Sequence, residues 1–236
     1  MDDPKIITKI NFFGDEFRVD RMGAKIQMLR LDNLSLLRED EGTNTKRSGI
    51  PILGPLVDAN TGIWTQVAPN MPQHGTDRIT EWRLENETLT SVTLSRTYDG
   101  GEHPLIGAAT ITFSIDEPHI FSLKRVTRSS SKEPVPLGTG LHTYFSPKVR
   151  FEGLDDVFPI ENGRSYHRDG VSLMHMSLEG KGFAIEAHPT PLETVVWAED
   201  SSDHICVEPW WAQVGAAPMI QPGETRIETY TIRRIV

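Results

Sequence analysis

Ala109-Thr110-Ile111-Thr112-Phe113-Ser114-Ile115-Asp116 alternates apolar and polar side chains along its whole length. In an extended chain that period of two puts Ile111, Phe113 and Ile115 on one face and hydroxyls or a carboxylate on the other. Such a segment is a half-buried strand of an antiparallel sheet. Outward from it, short segments rich in β-branched and aromatic residues recur at 5–13, 24–31, 88–97, 119–128, 182–188, 194–198 and 225–235. Turn chemistry separates them: Asp32-Asn33, Asp99-Gly100-Gly101, Asp116-Glu117-Pro118, Asn162-Gly163 and Pro222-Gly223. No window of about 11 residues or more carries a helical stripe. The expected fold class is therefore all-β, a large antiparallel β-sandwich forming a single domain over residues 1–236. Residues 39–70 are the exception, being long, polar and punctuated by Gly and Pro, as functional or disordered loops are.

Composition sets outer limits. The chain has 236 residues, 37% apolar and 24% charged, and carries a formal charge of −9. A chain of this size buries roughly 70–75% of its unfolded surface and needs no staples. The acidic balance argues against a nucleic-acid backbone or an anionic membrane as partner, since both recruit clustered Lys and Arg. Met1-Asp2-Asp3-Pro4-Lys5 has no basic leader before an apolar stretch, so a cytoplasmic protein is expected, with a monomer favoured. The one cysteine, Cys206, lies in the apolar run Ile205-Cys206-Val207 and reads as a buried thiol in a reducing compartment.

Several chemistries are excluded by motif. There is no G-x-S-x-G elbow, P-loop, G-x-G-x-x-G, H-E-x-x-H or paired cysteine. His167 and His175 stand eight residues apart in a segment read as turn followed by strand, which is no ligand spacing, so no metal site is expected. Four dense clusters remain: Arg47-Ser48-Gly49-Ile50-Pro51; Met71-Pro72-Gln73-His74-Gly75-Thr76-Asp77-Arg78 with Glu81-Trp82; Gly140-Leu141-His142-Thr143-Tyr144-Phe145; and Val207-Glu208-Pro209. In the last, a carboxylate ends an apolar strand before a proline that stops the ladder. Desolvation there raises its pKa toward neutrality, as a general base at pH 7 requires. Each piece also has a plain reading: His142 as a hydrogen-bonded core histidine, His74 as a polar turn residue, Glu208 as a strand-end carboxylate, Arg47 and Arg78 as surface charges.

Taken together and in chain order, these clusters resemble the aldose 1-epimerase (mutarotase) superfamily, most closely its hexose-6-phosphate branch. Residues 47–51 are similar to the family's R-G-G-I-P loop, 71–78 to M-P-Q-H-G-x-x-R, and 141–145 to L-H-T-Y-F. Thr194 to Trp197 and Val207 to Pro209 resemble its V-V-W and V-E-P pair. The resemblance implies a cofactor-free interconversion of α and β anomers of a hexose. By position it implies Glu208 as the base taking the proton of the C1 hydroxyl and His142 as the acid protonating the ring oxygen. Gln73 and His74 would contact the sugar, with His74 bonding near the ring oxygen, and Arg47 and Arg78 would take a 6-phosphate.

Three departures stand against the pattern. Ser48 replaces a glycine, Leu53-Gly54-Pro55-Leu56 stands where an aromatic-Pro-Gln-aromatic run is usual, and Thr76-Asp77 replaces Phe-Ala. Asp77 beside Arg78 is expected to weaken phosphate binding or to shift preference to neutral sugars. Asp155 and Asp156 are the candidates for the family's sugar-binding aspartate. A non-catalytic sugar-binding or regulatory protein on the same fold, favoured by the altered Leu53–Leu56 and Thr76–Asp77 segments, is the rival reading. A two-carboxylate glycoside hydrolase is weaker, since the clusters supply one such carboxylate plus histidines.

Overall fold

The stretch around Ile111 forms an inner strand of the largest of four sheets among the described residues. The computed structural model describes residues 5–38, 47–58, 64–154, 165–198 and 204–235. Within them the strands are β1 (Ile6–Ile10), β2 (Glu16–Asp20), β3 (Lys25–Leu31), β4 (Leu34–Ser35), β5 (Ile52–Leu53), β6 (Arg83–Glu87), β7 (Ser91–Asp99), β8 (Ile106–Ser114), β9 (Ile120–Ser129), β10 (Val135–Pro136), β11 (Gly140–Leu141), β12 (Tyr144–Phe145), β13 (Arg150–Phe151), β14 (Ser165–Asp169), β15 (Leu173–Leu178), β16 (Lys181–His188), β17 (Glu193–Trp197), β18 (Ile205–Trp210), β19 (Met219–Ile220) and β20 (Thr225–Ile235). A short helix at Trp64–Val67 and a 3-10 turn at Asp77–Ile79 are the helical segments among the described residues. None is long or apolar enough to cross a membrane.

Eight strands form one sheet in the order β13-β15-β16-β20-β9-β8-β7-β6. Six form a second, β14-β17-β18-β11-β5 with β12 also on β18, while β1-β2-β3-β4 make a four-stranded sheet and β10 pairs with β19. Neighbours pair antiparallel throughout. In β8, Ile111 and Phe113 are fully buried while Thr110 and Thr112 are half-buried, as the alternation predicts. Phe113 pairs across the sheet with Val92 and Leu123, and Phe17 of β2 packs between Phe113 and Phe121. Burial of each such side chain stabilises the fold by roughly 1.5–3 kcal/mol.

Four expectations need correction. The segment 5–13 is a strand only to Ile10, because the Asn11 side chain accepts from the backbone N–H groups of Phe13 and Asp15 and turns the chain. His167 lies in strand β14 rather than a turn, and His175 in β15 of the opposite sheet, so the chain crosses between sheets between them. Pro209 does not stop the ladder: β18 runs through it to Trp210. Val207 N–H donates to Thr143 O and Trp211 N–H to Thr139 O, so the missing N–H of Pro209 falls between them, beside the break separating β11 from β12. Finally, residues 48–57 are buried and not a solvated polar loop, with β5 added to the edge of the six-stranded sheet.

Candidate active site

Period two on β18 sends Cys206, Glu208 and Trp210 to one face of the six-stranded sheet. Opposite them, His142 occupies the break between β11 and β12, its N–H donating to Pro51 O at 3.1 Å. The two meet. His142 Nε2 lies 3.3 Å from Glu208 Oε1, with the residues 6% and 2% exposed. Trp210 Nε1–H donates to the other carboxylate oxygen at 3.1 Å. The Tyr144 ring stacks on His142 at 4.4 Å with its hydroxyl 3.4 Å from Nε2, and His74 stands edge-on to His142 at 5.5 Å.

Burial dominates the electrostatics. It pushes the Glu208 carboxyl up to about 8, against the opposing pull of the Trp210 hydrogen bond and the Arg78 charge. It holds His142 well below the usual imidazole range, helped by the charges of His74, Arg78 and His204. At pH 7 the pair thus holds one proton, resting on the carboxyl. Burial also lowers His74, whose Nδ1–H donates to Val57 O at 2.6 Å, so its free Nε2 is an acceptor. Burial raises the Tyr144 phenol, with Arg78 and Arg47 both pulling the other way. Two guanidiniums from separate loops therefore act on one phenol, and that of Arg47 also lies 5.9 Å from the Trp197 ring centroid.

The His74 loop is fastened from behind by a charge cluster that the sequence did not reveal. Asp77 is fully buried, with Oδ1 2.7 Å from Arg96 Nη1 and Oδ2 2.7 Å from Arg125 Nη2. Tyr98 O–H donates to the same carboxylate at 3.0 Å, and Arg125 Nη1 donates to Leu53 O at 3.1 Å. Asp77 N–H donates to Gly54 O, and Gly54 N–H to His74 O, which closes the loop. The Asp77 carboxylate is turned inward and neutralised by two arginines, which removes the physical ground for the expectation that it acts on Arg78. Glu81 does not engage Arg78 in an ion pair either; it pairs with Arg21 at 3.3 Å. Two of the motif departures are coupled, since a Cβ on Gly54 would stand 2.5 Å from Asp77 Oδ2 and 3.0 Å from both terminal nitrogens of Arg125. A larger residue at 54 and a carboxylate at 77 cannot share that space.

Of the residues singled out from sequence, the structure brings Glu208, His142 and His74 together and sets Arg78 and Arg47 around them. Gln73 is exposed at the turn before His74. Asp155 and Asp156 lie outside the described residues. Sequence reasoning passed over Trp210 as the donor to Glu208, Tyr144 as the ring under His142, and Cys206 as a neighbour of both. The first two had a signal, aromatic residues at i+2 from a site residue on an extended strand.

Residues 23–169 match the sequence profile of the aldose 1-epimerase family, more than half of the chain. The chain belongs to the aldose 1-epimerase family. The matched span contains Arg47, His74, Arg78 and His142, while Glu208 lies beyond it. Among solved structures, the chain is similar to a provisionally assigned aldose 1-epimerase from Escherichia coli K12, with a TM-score of 0.81, 17% identity and coverage of 98% and 99% of the two chains. It is also similar to the Slr1438 protein of Synechocystis sp. PCC 6803 (0.83, 14%, coverage 99% and 96%). A galactose mutarotase-like protein from Lactobacillus casei ATCC 334 gives 0.77 and 14%, with coverage of 98% and 100%. At these identities the likeness establishes the epimerase fold, the antiparallel β-sandwich expected from sequence. No curated protein matches the chain significantly by sequence.

Proposed function

We propose that the chain interconverts the α and β anomers of a hexose, and preferentially of a hexose 6-phosphate, by acid/base opening and closure of the ring. The observation that carries this reading is the 3.3 Å approach of His142 Nε2 to Glu208 Oε1 on a buried floor. Opening a cyclic hemiacetal removes a proton from the C1 hydroxyl and adds one to the ring oxygen. Both oxygens are bonded to the same carbon, so base and acid must be neighbours. Glu208 takes the hydroxyl proton as His142 gives one to the ring oxygen. Rotation about C1–C2 presents the other carbonyl face, and the reverse transfers close the ring. Neutral His74 accepts a hydrogen bond from a sugar hydroxyl close to the ring oxygen. Exchange NMR of α and β anomers tests this: cross-peaks above the buffer rate at catalytic protein concentration are expected, and their absence across free and phosphorylated hexoses overturns it.

The proton count predicts the pH profile. The cyclic sugar needs ionised Glu208 with protonated His142, the open aldehyde leaves protonated Glu208 with neutral His142, and both arrangements hold one proton. The pair loses that proton as pH rises through about 8, so kcat/KM falls on the alkaline side of that value. A rate still rising beyond it would show that Glu208 works as a base without a protonated partner.

Arg78 and Arg47 support the phosphorylated substrate, because both charges act on Tyr144 beside the pair and two guanidiniums offer bidentate donors to an anion. Charge-assisted contacts are worth about 1.5–3 kcal/mol each. Arg47→Ala and Arg78→Ala are each expected to raise KM for a hexose 6-phosphate by roughly 10–150-fold and to leave that for the free hexose nearly unchanged. Equal losses for both sugars would favour a neutral substrate. The departures at Gly54 and Asp77 have a packing role, since the two residues pack against each other behind the site.

A further inference from the structure

Cys206 has no task in this acid/base scheme, yet it is fully buried beside the pair. It shares a strand face with Glu208, two residues on. Its Sγ, a carboxylate oxygen of Glu208 and a ring nitrogen of His142 all lie within 4.8 Å of one another. Among the described residues this is the one group of three such donors so gathered. We propose that these three side chains form an inhibitory site for a thiophilic divalent cation of the zinc class.

The donor set supports that class. Thiolate, imidazole and carboxylate are the ligands of zinc, and three of them leave a fourth tetrahedral position for water or for the Tyr144 hydroxyl, 3.4 Å from His142 Nε2. Bonds of about 2.0–2.3 Å at tetrahedral angles set ligands roughly 3.6 Å apart. His142 Nε2 and Glu208 Oε1, at 3.3 Å, are already there, and side-chain rotation of about 1 Å brings in the sulfur. Magnesium and calcium demand more oxygen ligands than this floor offers. On binding, the Cys206 thiol and the Glu208 carboxyl release their protons to solvent, and the two anions then neutralise the divalent charge inside the protein. A bound ion occupies the lone pairs that the proton transfers need, so metal and catalysis exclude each other. That inhibitory consequence rests on the anomer-exchange reading, whereas the metal site does not.

Cobalt(II) is the probe. Titrated into the chelator-treated chain, it is expected to produce a thiolate-to-cobalt charge-transfer band at one equivalent. Cys206 is the only cysteine, so Cys206→Ser and Cys206→Ala should both abolish the band. Loss of an outer-sphere partner alone costs about 10–100-fold in metal affinity, so equilibrium dialysis should show zinc bound at least 100-fold more weakly by either variant. Saturating zinc should stop anomer exchange in the parent, and a chelator should restore it. Absence of the band, or zinc bound as tightly by a variant whose circular dichroism matches the parent, overturns the site whatever the catalytic result. Exchange undiminished at full zinc occupancy overturns its inhibitory role. A band appearing in a chain that catalyses no exchange leaves the metal site standing and removes the epimerase reading instead.

Discussion

Glu208→Gln is expected to lower the rate of anomer exchange by about 10²-fold or more, the lower bound for losing a positioned general base. The amide matches the carboxyl in size, and its oxygen still accepts from Trp210 Nε1, so the floor of the site keeps its shape. What disappears is a group able to hold a proton. Stability should move the other way. The carboxyl in the folded chain is raised from 4.5 to about 8, so the folded state binds its proton more tightly than the unfolded chain does. Stability associated with this group is therefore full below about 4.5 and is lost progressively as pH rises to about 8. Glutamine does not titrate, so the thermal midpoint of the variant should exceed that of the parent by more at pH 8 than at pH 5. Exchange NMR and paired melting curves read both effects. An unchanged exchange rate in the variant would falsify the assignment of the base.

Asp77→Ala is expected to destabilise the chain by about 3–5 kcal/mol, the usual cost of breaking a buried ion pair by deleting one partner. The removed carboxylate faces Arg96, Arg125 and the Tyr98 hydroxyl, and Arg125 is 3% exposed, so its charge would be left in the interior beside the smaller side chain. Asp77→Asn keeps an acceptor for Tyr98 while losing the charge, and should fall between alanine and the parent. Urea unfolding monitored by circular dichroism measures the difference. A loss no larger than that of a surface substitution, about 0.5 kcal/mol, would mean that the two arginines find other partners or water, and that the cluster does not hold the His74 loop.

The route from sequence to fold was short for elements with clear alternation and poor for others. The strand at Thr225–Ile235 is legible because β-branched residues recur at 225, 227, 229, 231, 232 and 235 after a Pro-Gly turn. β2 was passed over although Glu16-Phe17-Arg18-Val19-Asp20 alternates, because its three charged residues mask two buried ones. β14 was read as a turn for the same reason, since its solvated face is built from Ser165, His167 and Asp169. Local sequence reports how a segment divides its faces. It does not report which sheet receives the segment, as the crossing between His167 and His175 makes plain.

The candidate site divides along the same line. By itself the sequence determined that Glu208 ends an apolar run, that His142 and His74 sit in dense local motifs, and that two arginines accompany them, because residue type and spacing along one chain are local facts. Only the tertiary structure decided that Glu208 and His142 approach to 3.3 Å, since Glu208 lies on β18 and His142 in the break between β11 and β12, both of which pair with β18. It alone placed Cys206 with them. It also reversed the reading of Asp77, whose effect on Arg78 depends on the direction of a carboxylate and not on adjacency. The physical reason is that charge and proton affinity are set by the surroundings in three dimensions, by burial and by neighbours far away in the chain.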